Sequence, residues 1–130
     1  MITKQIAEEP DAIAPDGSEV RILAVARNGS MAHFELAEGE TSKAMVHKTV
    51  EELWFISSGE GEIWRKNETG EEVTALHPGV SLSIAVGTHF QFRTTGEDPL
   101  EAIAVTMPPW PGDDEAQPVV GKWQPSIEDE

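Results

Sequence analysis

The stretch Gly39–Gly61, GETSKAMVHKTVEELWFISSGEG, decides the fold. Glycines punctuate both ends. Between them run two segments, TSKAMVHKT (41–49) and ELWFISS (52–58), in which apolar and polar residues alternate, and Ser57-Ser58-Gly59-Glu60-Gly61 forms a turn after the second. Side chains two residues apart on a strand share a face. Met45 and His47 therefore belong to one face of the first strand, and Glu52, Trp54 and Ile56 to one face of the next. A tight hairpin would set Glu52 beside His47, and an imidazole next to a carboxylate is the beginning of a divalent metal site. A one-residue slip in register would put Glu51 in place of Glu52.

The same texture extends in both directions. Upstream lie EVRILAVA (19–26), the hairpin signal Asn28-Gly29 and SMAHFEL (30–36). Downstream lie GEIWRK (61–66), a turn at 67–70, EEVTAL (71–76), the turn His77-Pro78-Gly79, VSLSIAV (80–86), THFQFRT (88–94) and LEAIAVTM (100–107). Short runs rich in β-branched and aromatic residues, closely spaced by turns, mark an all-β sandwich or barrel. A helical period is absent apart from a short turn expected near Ile2–Glu8. Nine strands within residues 19–107 leave no space for crossover helices, so the links are hairpins or Greek-key connections and a jelly-roll barrel is the natural closure.

Two flanks differ from this domain. Residues 1–18 mix Pro, Gly and acidic residues and are expected to form an N-terminal arm. Residues 108–130 carry five prolines and two tryptophans. Proline suppresses regular structure there, while Trp110 and Trp123 are too apolar for a free tail, so the tail is expected to lie on the barrel or on a partner subunit.

Composition narrows the function classes. The chain has 130 residues, enough for one domain with a real core. It has no cysteine, which removes disulfides, thiolate metal sites and Cys nucleophiles. Nine basic against twenty-four acidic residues give a net charge of −15, a field that repels phosphate backbones and argues against nucleic acid as partner. The acidic runs Asp113–Glu115 and 128–130 read as solvated tails. Neither a signal-peptide run nor a membrane-spanning apolar stretch occurs, so no membrane partner is expected and the expected location is the cytoplasm. Gly59-Glu60-Gly61 lies between strands, out of context for a dinucleotide fingerprint. Ser57–Gly61 is a turn, not a nucleophile elbow, and there is no tyrosine.

With these residues in view, the chain resembles the cupin family. The first cupin motif, G(X)5HXH(X)3,4E(X)6G, is matched by Gly39, by His47 at the second histidine, by Glu52 and by Gly59, with Met45 at the first histidine. Around the second motif, G(X)5PXG(X)2H(X)3N, Gly79 and Gly87 stand at the glycines, Ala85 at the proline, Phe90 at the histidine and Thr94 at the asparagine, with His89 one residue early. The resemblance spans about residues 20–107. It implies a double-stranded β-helix, or jelly-roll, with a small-molecule site in the barrel. A divalent metal (Fe, Mn, Zn or Ni) would be held by His47 and Glu52. His89 would complete the set if a β-bulge shifts its strand, with His33 the weaker candidate.

Two functions follow as expectations. One is a metal-dependent enzyme, of oxygenase or isomerase type, acting on a small acid, sugar or aromatic compound. The other is a metal-free binding or sensor module, favoured by Met45 and Phe90, which put apolar groups at ligand positions. Met45, Trp54, Phe90 and Phe92 are the expected ligand-pocket residues in both. An assembly protein with a vestigial cavity is a third, weaker expectation. Catalytic residues are not legible. A homodimer is expected, paired through edge strands, arm or tail.

Overall fold

The computed structural model describes residues 1–127 of the chain. These form eleven strands: β1 (Ala12–Ile13), β2 (Glu19–Val25), β3 (Ser30–Leu36), β4 (Met45–His47), β5 (Glu51–Ser58), β6 (Gly61–Asn67), β7 (Gly70–Leu76), β8 (Ser81–Ile84), β9 (His89–Thr94), β10 (Leu100–Met107) and β11 (Ala116–Pro118), with one 3-10 turn at Asp113–Glu115. They build a six-stranded sheet, β1-β2-β3-β10-β5-β8, and a five-stranded sheet, β11-β4-β9-β6-β7. Each strand pairing is antiparallel, and the fold is the expected jelly-roll.

The alternation seen in the sequence is the alternation of burial. In β5, Glu52, Trp54 and Ile56 are buried while Glu51, Leu53 and Phe55 face outward. In β10, Leu100, Ala102, Ala104 and Thr106 are buried and the residues between them are not. The inward faces of both sheets meet in one core that includes Leu36, Ile56, Ile63, Leu76, Ile84, Phe92 and Leu100. Each such side chain contributes about 1.5–3 kcal/mol by leaving water.

Three expectations are corrected. No helical turn forms over residues 2–8. The run 41–49 is a strand only at Met45–His47, because Ser42 and Lys43 bond instead to Phe92 and Asp16. And β4 and β5 do not make a hairpin. β4 pairs with β9 and β11 in one sheet, β5 with β10 and β8 in the other, and residues 48–50 cross between the sheets.

The turn between β5 and β6 depends on Gly59. Its φ is +81°, and a Cβ there would stand 2.2 Å from the carbonyl oxygen of Pro99, so a side chain meets both strain and a backbone clash.

The arm and the tail are both ordered against the barrel. The arm adds β1 beside β2, and Arg21 donates to the carbonyls of Ala7 and Glu8. The tail adds β11 beside β4. Farther on, fully buried Gln91 donates its amide to the carbonyls of Ser42 (2.8 Å) and Trp123 (2.9 Å) and accepts from the Trp123 N–H (2.9 Å). The Arg93 guanidinium lies 4.2 Å from the centre of the Trp123 ring, a cation–π contact.

Candidate ligand-binding site

β4 and β5 each send one polar side chain into the space between the sheets. His47 and Glu52 are both buried, and Nδ1 of His47 lies 3.5 Å from Oε1 of Glu52. They face each other because the connection at 48–50 carries the chain from one sheet to the other, with Val50 as its fully buried pivot. The His47 ring meets Phe90 edge-on at 5.2 Å between centroids and Trp110 at 5.1 Å. Trp54 packs edge-on against Phe90 and Phe92 and stacks on Phe34.

These groups line a cavity of about 330 Å³. Its wall comprises Val20, Ile22 and Val25 of β2, Ser30, Met31, Ala32 and Phe34 of β3, Met45, His47, Glu52, Trp54, Phe90 and Thr106. The arm closes it with residues 12–16 and the tail with Pro109, Trp110, Asp113 and Ala116. Ile13, Ile22, Val25 and Met31 are exposed as well as lining, and so mark an apolar mouth.

The polar end of the cavity is unusual in its electrostatics. Burial, reinforced by the charge of Asp16, pushes the Glu52 carboxyl up to about 8. The Trp54 indole N–H leans towards that carboxyl and offsets part of the shift, without completing a hydrogen bond. Burial lowers the His47 imidazole, against the opposing pull of Glu115. At neutral pH the pair is therefore mostly a carboxylic acid facing a neutral imidazole. Nδ1 of His47 and Nε1 of Trp54 are buried without hydrogen-bond partners. Asp16 is also buried, and burial raises its carboxyl although Ser18 donates to it through both N–H (2.9 Å) and hydroxyl (2.6 Å). Glu115 sits just behind the site. Burial raises its carboxyl, but hydrogen bonds from Thr49 and Lys48 outweigh this and hold it low.

Of the residues singled out from sequence, Met45, His47, Glu52, Trp54 and Phe90 converge on the cavity. Phe92 lies in the core, packed on Trp54. His89 is not brought to His47 and Glu52. The β4–β9 ladder pairs Met45 with Phe90 and Val46 with His89 and has no bulge, so Phe90 takes the inward position and His89 the opposite face. His33 is buried on the far side of the six-stranded sheet. There Nε2 lies 2.8 Å from Glu101 Oε1, and His33, Glu35 and Glu101 bring ligand atoms within 4.8 Å of one another. That group could hold a metal ion, although Arg21 already engages Glu35 at 3.3 Å and Nδ1 of His33 has no partner to orient the ring.

A metal in the barrel is less well provided for. His47 and Glu52 are two donors. The positions that would supply further ligands hold the thioether of Met45 and the ring of Phe90, and the carboxyl retains its proton near neutrality. The residues present fit a metal poorly at that place.

Asp16, Trp110 and Asp113 were not singled out as site residues. Trp110 had a signal, an indole in a proline-rich tail. Asp16 had none, and the run Asp113–Glu115, expected to be solvated, is corrected: Asp113 lines the cavity and Glu115 is buried, through contacts with residues far along the chain.

A family model described as cupin domain matches residues 32–106, more than half of the chain. The chain belongs to the cupin family. No curated protein matches it in sequence. Among solved structures, an uncharacterised double-stranded β-helix protein of Klebsiella pneumoniae is similar at 16% identity, over 92% of this cupin and 91% of that chain, with a TM-score of 0.65. Bacillus subtilis oxalate decarboxylase is similar at 13% identity, over 86% of this cupin and 30% of the enzyme, with a TM-score of 0.70. Another structure of that enzyme concerns its Mn(II) centres. Drosophila melanogaster CENP-C, solved bound to CAL1, is similar at 12% identity, over 70% of this cupin and 76% of that chain, with a TM-score of 0.61. At these identities the likeness is one of fold. Among the described residues, no helix is long and apolar enough to cross a membrane.

Proposed function

We propose that this cupin is a metal-free binding module for a small, largely apolar organic molecule. One observation carries the proposal. Three polar groups, those of His47, Glu52 and Trp54, stand together at one end of a largely apolar cavity, and two of them have buried nitrogens without partners. Unsatisfied buried polar atoms cost about 1–3 kcal/mol each, and a ligand that completes them recovers that cost. Arm and tail reach the cavity from opposite ends of the chain and enclose it, as a binding site requires. The test is a panel of small aromatic and alicyclic compounds followed by protein-observed NMR. Shifts that localise to Trp54, Trp110 and Phe90 support binding. A panel without a localised response opposes it.

A second reading has a specific observation behind it, the 3.5 Å approach of His47 to Glu52. Here a divalent ion such as Fe, Mn, Zn or Ni binds, as in a metal-dependent oxygenase or isomerase, with other ligands drawn from water or substrate. Elemental analysis of protein purified without added metal decides between the two. A stoichiometric metal lost in His47→Ala favours the barrel. One lost in His33→Ala favours the outer cluster. Less than about a tenth of an equivalent, with no uptake on titration, leaves the metal-free module.

We further propose that two copies pair through the bare outer face of β5 and β10. Leu53 and Phe55 are each 50% exposed there and stand directly across the ladder from Val105 and Ile103.

A further inference from the structure

We infer that the cavity selects uncharged molecules: an apolar body bearing one oxygen acceptor at the Trp54 end, with carboxylates and other organic anions rejected. This rests on the small-molecule reading above and adds the ligand's charge class to it.

Among the described residues, the charged ones that line the cavity are Asp16, Glu52 and Asp113, with no lysine or arginine on the wall. His47 is, among the described residues, the one lining side chain able to carry positive charge, and it is buried between aromatic rings. An anion entering here would leave water, meet three carboxyl groups and find no guanidinium or ammonium partner. Burying an unpaired charge is far costlier than burying a neutral polar group. The field outside acts in the same sense, because the chain carries a net charge of −15.

The polar end points to an acceptor. The Trp54 N–H can only donate, it is buried, and its lean towards the Glu52 carboxyl falls short of a hydrogen bond. The hydroxyls of Ser30 and Thr106, also on the wall, already bond to each other, and Ser30 accepts the Trp110 N–H at 2.9 Å. They offer a ligand little. A carbonyl, ether or hydroxyl oxygen beside Trp54 would satisfy the orphan N–H without bringing charge. The volume sets the size. An apolar cavity of about 150 Å³ takes up benzene, so about 330 Å³ accommodates a substituted single ring or a compact two-ring compound.

The experiment is a matched set on the intact chain at pH 7.5: benzamide, benzoate and toluene, titrated by isothermal calorimetry and checked by tryptophan fluorescence. Benzamide is expected to bind at least about tenfold more tightly than benzoate. It should also bind several-fold more tightly than toluene, which lacks the acceptor. Trp54→Phe keeps an aromatic face and removes the N–H together with part of the indole. Within that variant, benzamide should lose its advantage over toluene, whatever the change in toluene affinity itself. Benzoate binding as tightly as benzamide overturns the charge selection while leaving the binding module in place. Toluene matching benzamide in the unaltered chain overturns the acceptor assignment, whether or not the Trp54 variant folds. Absence of binding by all three overturns the inference, and the wider panel above then reports separately on the module itself.

Discussion

The His47 imidazole and the Trp110 indole meet edge-on, with ring centroids 5.1 Å apart. One residue comes from the strand that carries the motif histidine, the other from the proline-rich tail. The tail is therefore part of the cavity wall. The backbone N–H of Trp110 donates to Ser30 Oγ, and that serine is hydrogen-bonded to Thr106 on the wall. Trp110→Ala removes a large half-buried ring. It should cost about 2 kcal/mol of stability, less than a fully buried tryptophan would. Ligand release should quicken more than association slows. Stopped-flow fluorescence with a bound compound checks this, and an unchanged dissociation rate would place the tail outside the site.

The Glu52 carboxyl ties stability to pH. Its value rises from 4.5 unfolded to about 8 folded, so between those values the folded chain holds a proton that the unfolded chain releases. The stabilisation is complete below about pH 4.5 and is lost as pH climbs through 8, on the order of 4 kcal/mol across the window. Asp16, also raised, acts in the same direction. His47, being lowered, acts oppositely and only below about pH 6.5. Urea midpoints at pH 6.5, 7.5 and 8.5 should fall steadily for the unaltered chain. Glu52→Gln keeps the shape without the titration and should flatten that fall. Parallel slopes for the two proteins would mean that Glu52 reaches water.

Much of this was legible in the sequence, for identifiable reasons. Alternation revealed the inward sides of β5 and β10, because a sheet with one face on a core obeys a period of two. The same rule placed Phe90 inward and set His89 apart from the pocket unless a bulge intervened; the ladder contains none. It could not reveal that His47 and Glu52 meet across the sandwich and not along a hairpin. Residues 48–50 look like a tight turn, and only the competing partners of β4 and β5 show that the chain changes sheets there. Asp16 carries no local signal and Asp113 reads as part of a solvated run, because their roles come from contacts far along the chain. Burial, which moves the Glu52 carboxyl, has no local signature either.

The tail's seat can be tested away from the cavity. Gly121 lies against Gln91, where a Cβ would stand 2.3 Å from Oε1 of that amide and 2.6 Å from Cβ of Ala44. Gly121→Ala forces the tail off Gln91 or pushes the amide from its three hydrogen bonds, at about 1–3 kcal/mol. That is a fall in melting temperature of roughly 5–10 °C for a domain of this size. Gly70→Ala is the control, since nothing lies within 4 Å of its added methyl and its φ is ordinary. Limited proteolysis should cut the Gly121 variant after the barrel while sparing the control. Equal melting of the two variants would mean that residues 119–126 contribute little to holding the fold.

The outer face of β5 makes the last prediction. Leu53 and Phe55 each stand half exposed beside Val105 and Ile103 of β10, a strip of apolar side chains that water does not favour. Neither Leu53 nor Phe55 contributes to the core, so their replacement by glutamate should leave the fold intact. If two copies of this cupin pair by this strip, multi-angle light scattering at micromolar concentration gives twice the mass of one chain. The Leu53→Glu, Phe55→Glu double variant then gives the mass of one, because pairing would bury four carboxylates without partners. The melting temperature of the unaltered protein should also rise with its concentration, since association stabilises by mass action, whereas that of the variant should not. A single-chain mass for the unaltered protein removes the pair. A double mass that survives both substitutions moves the contact to another surface.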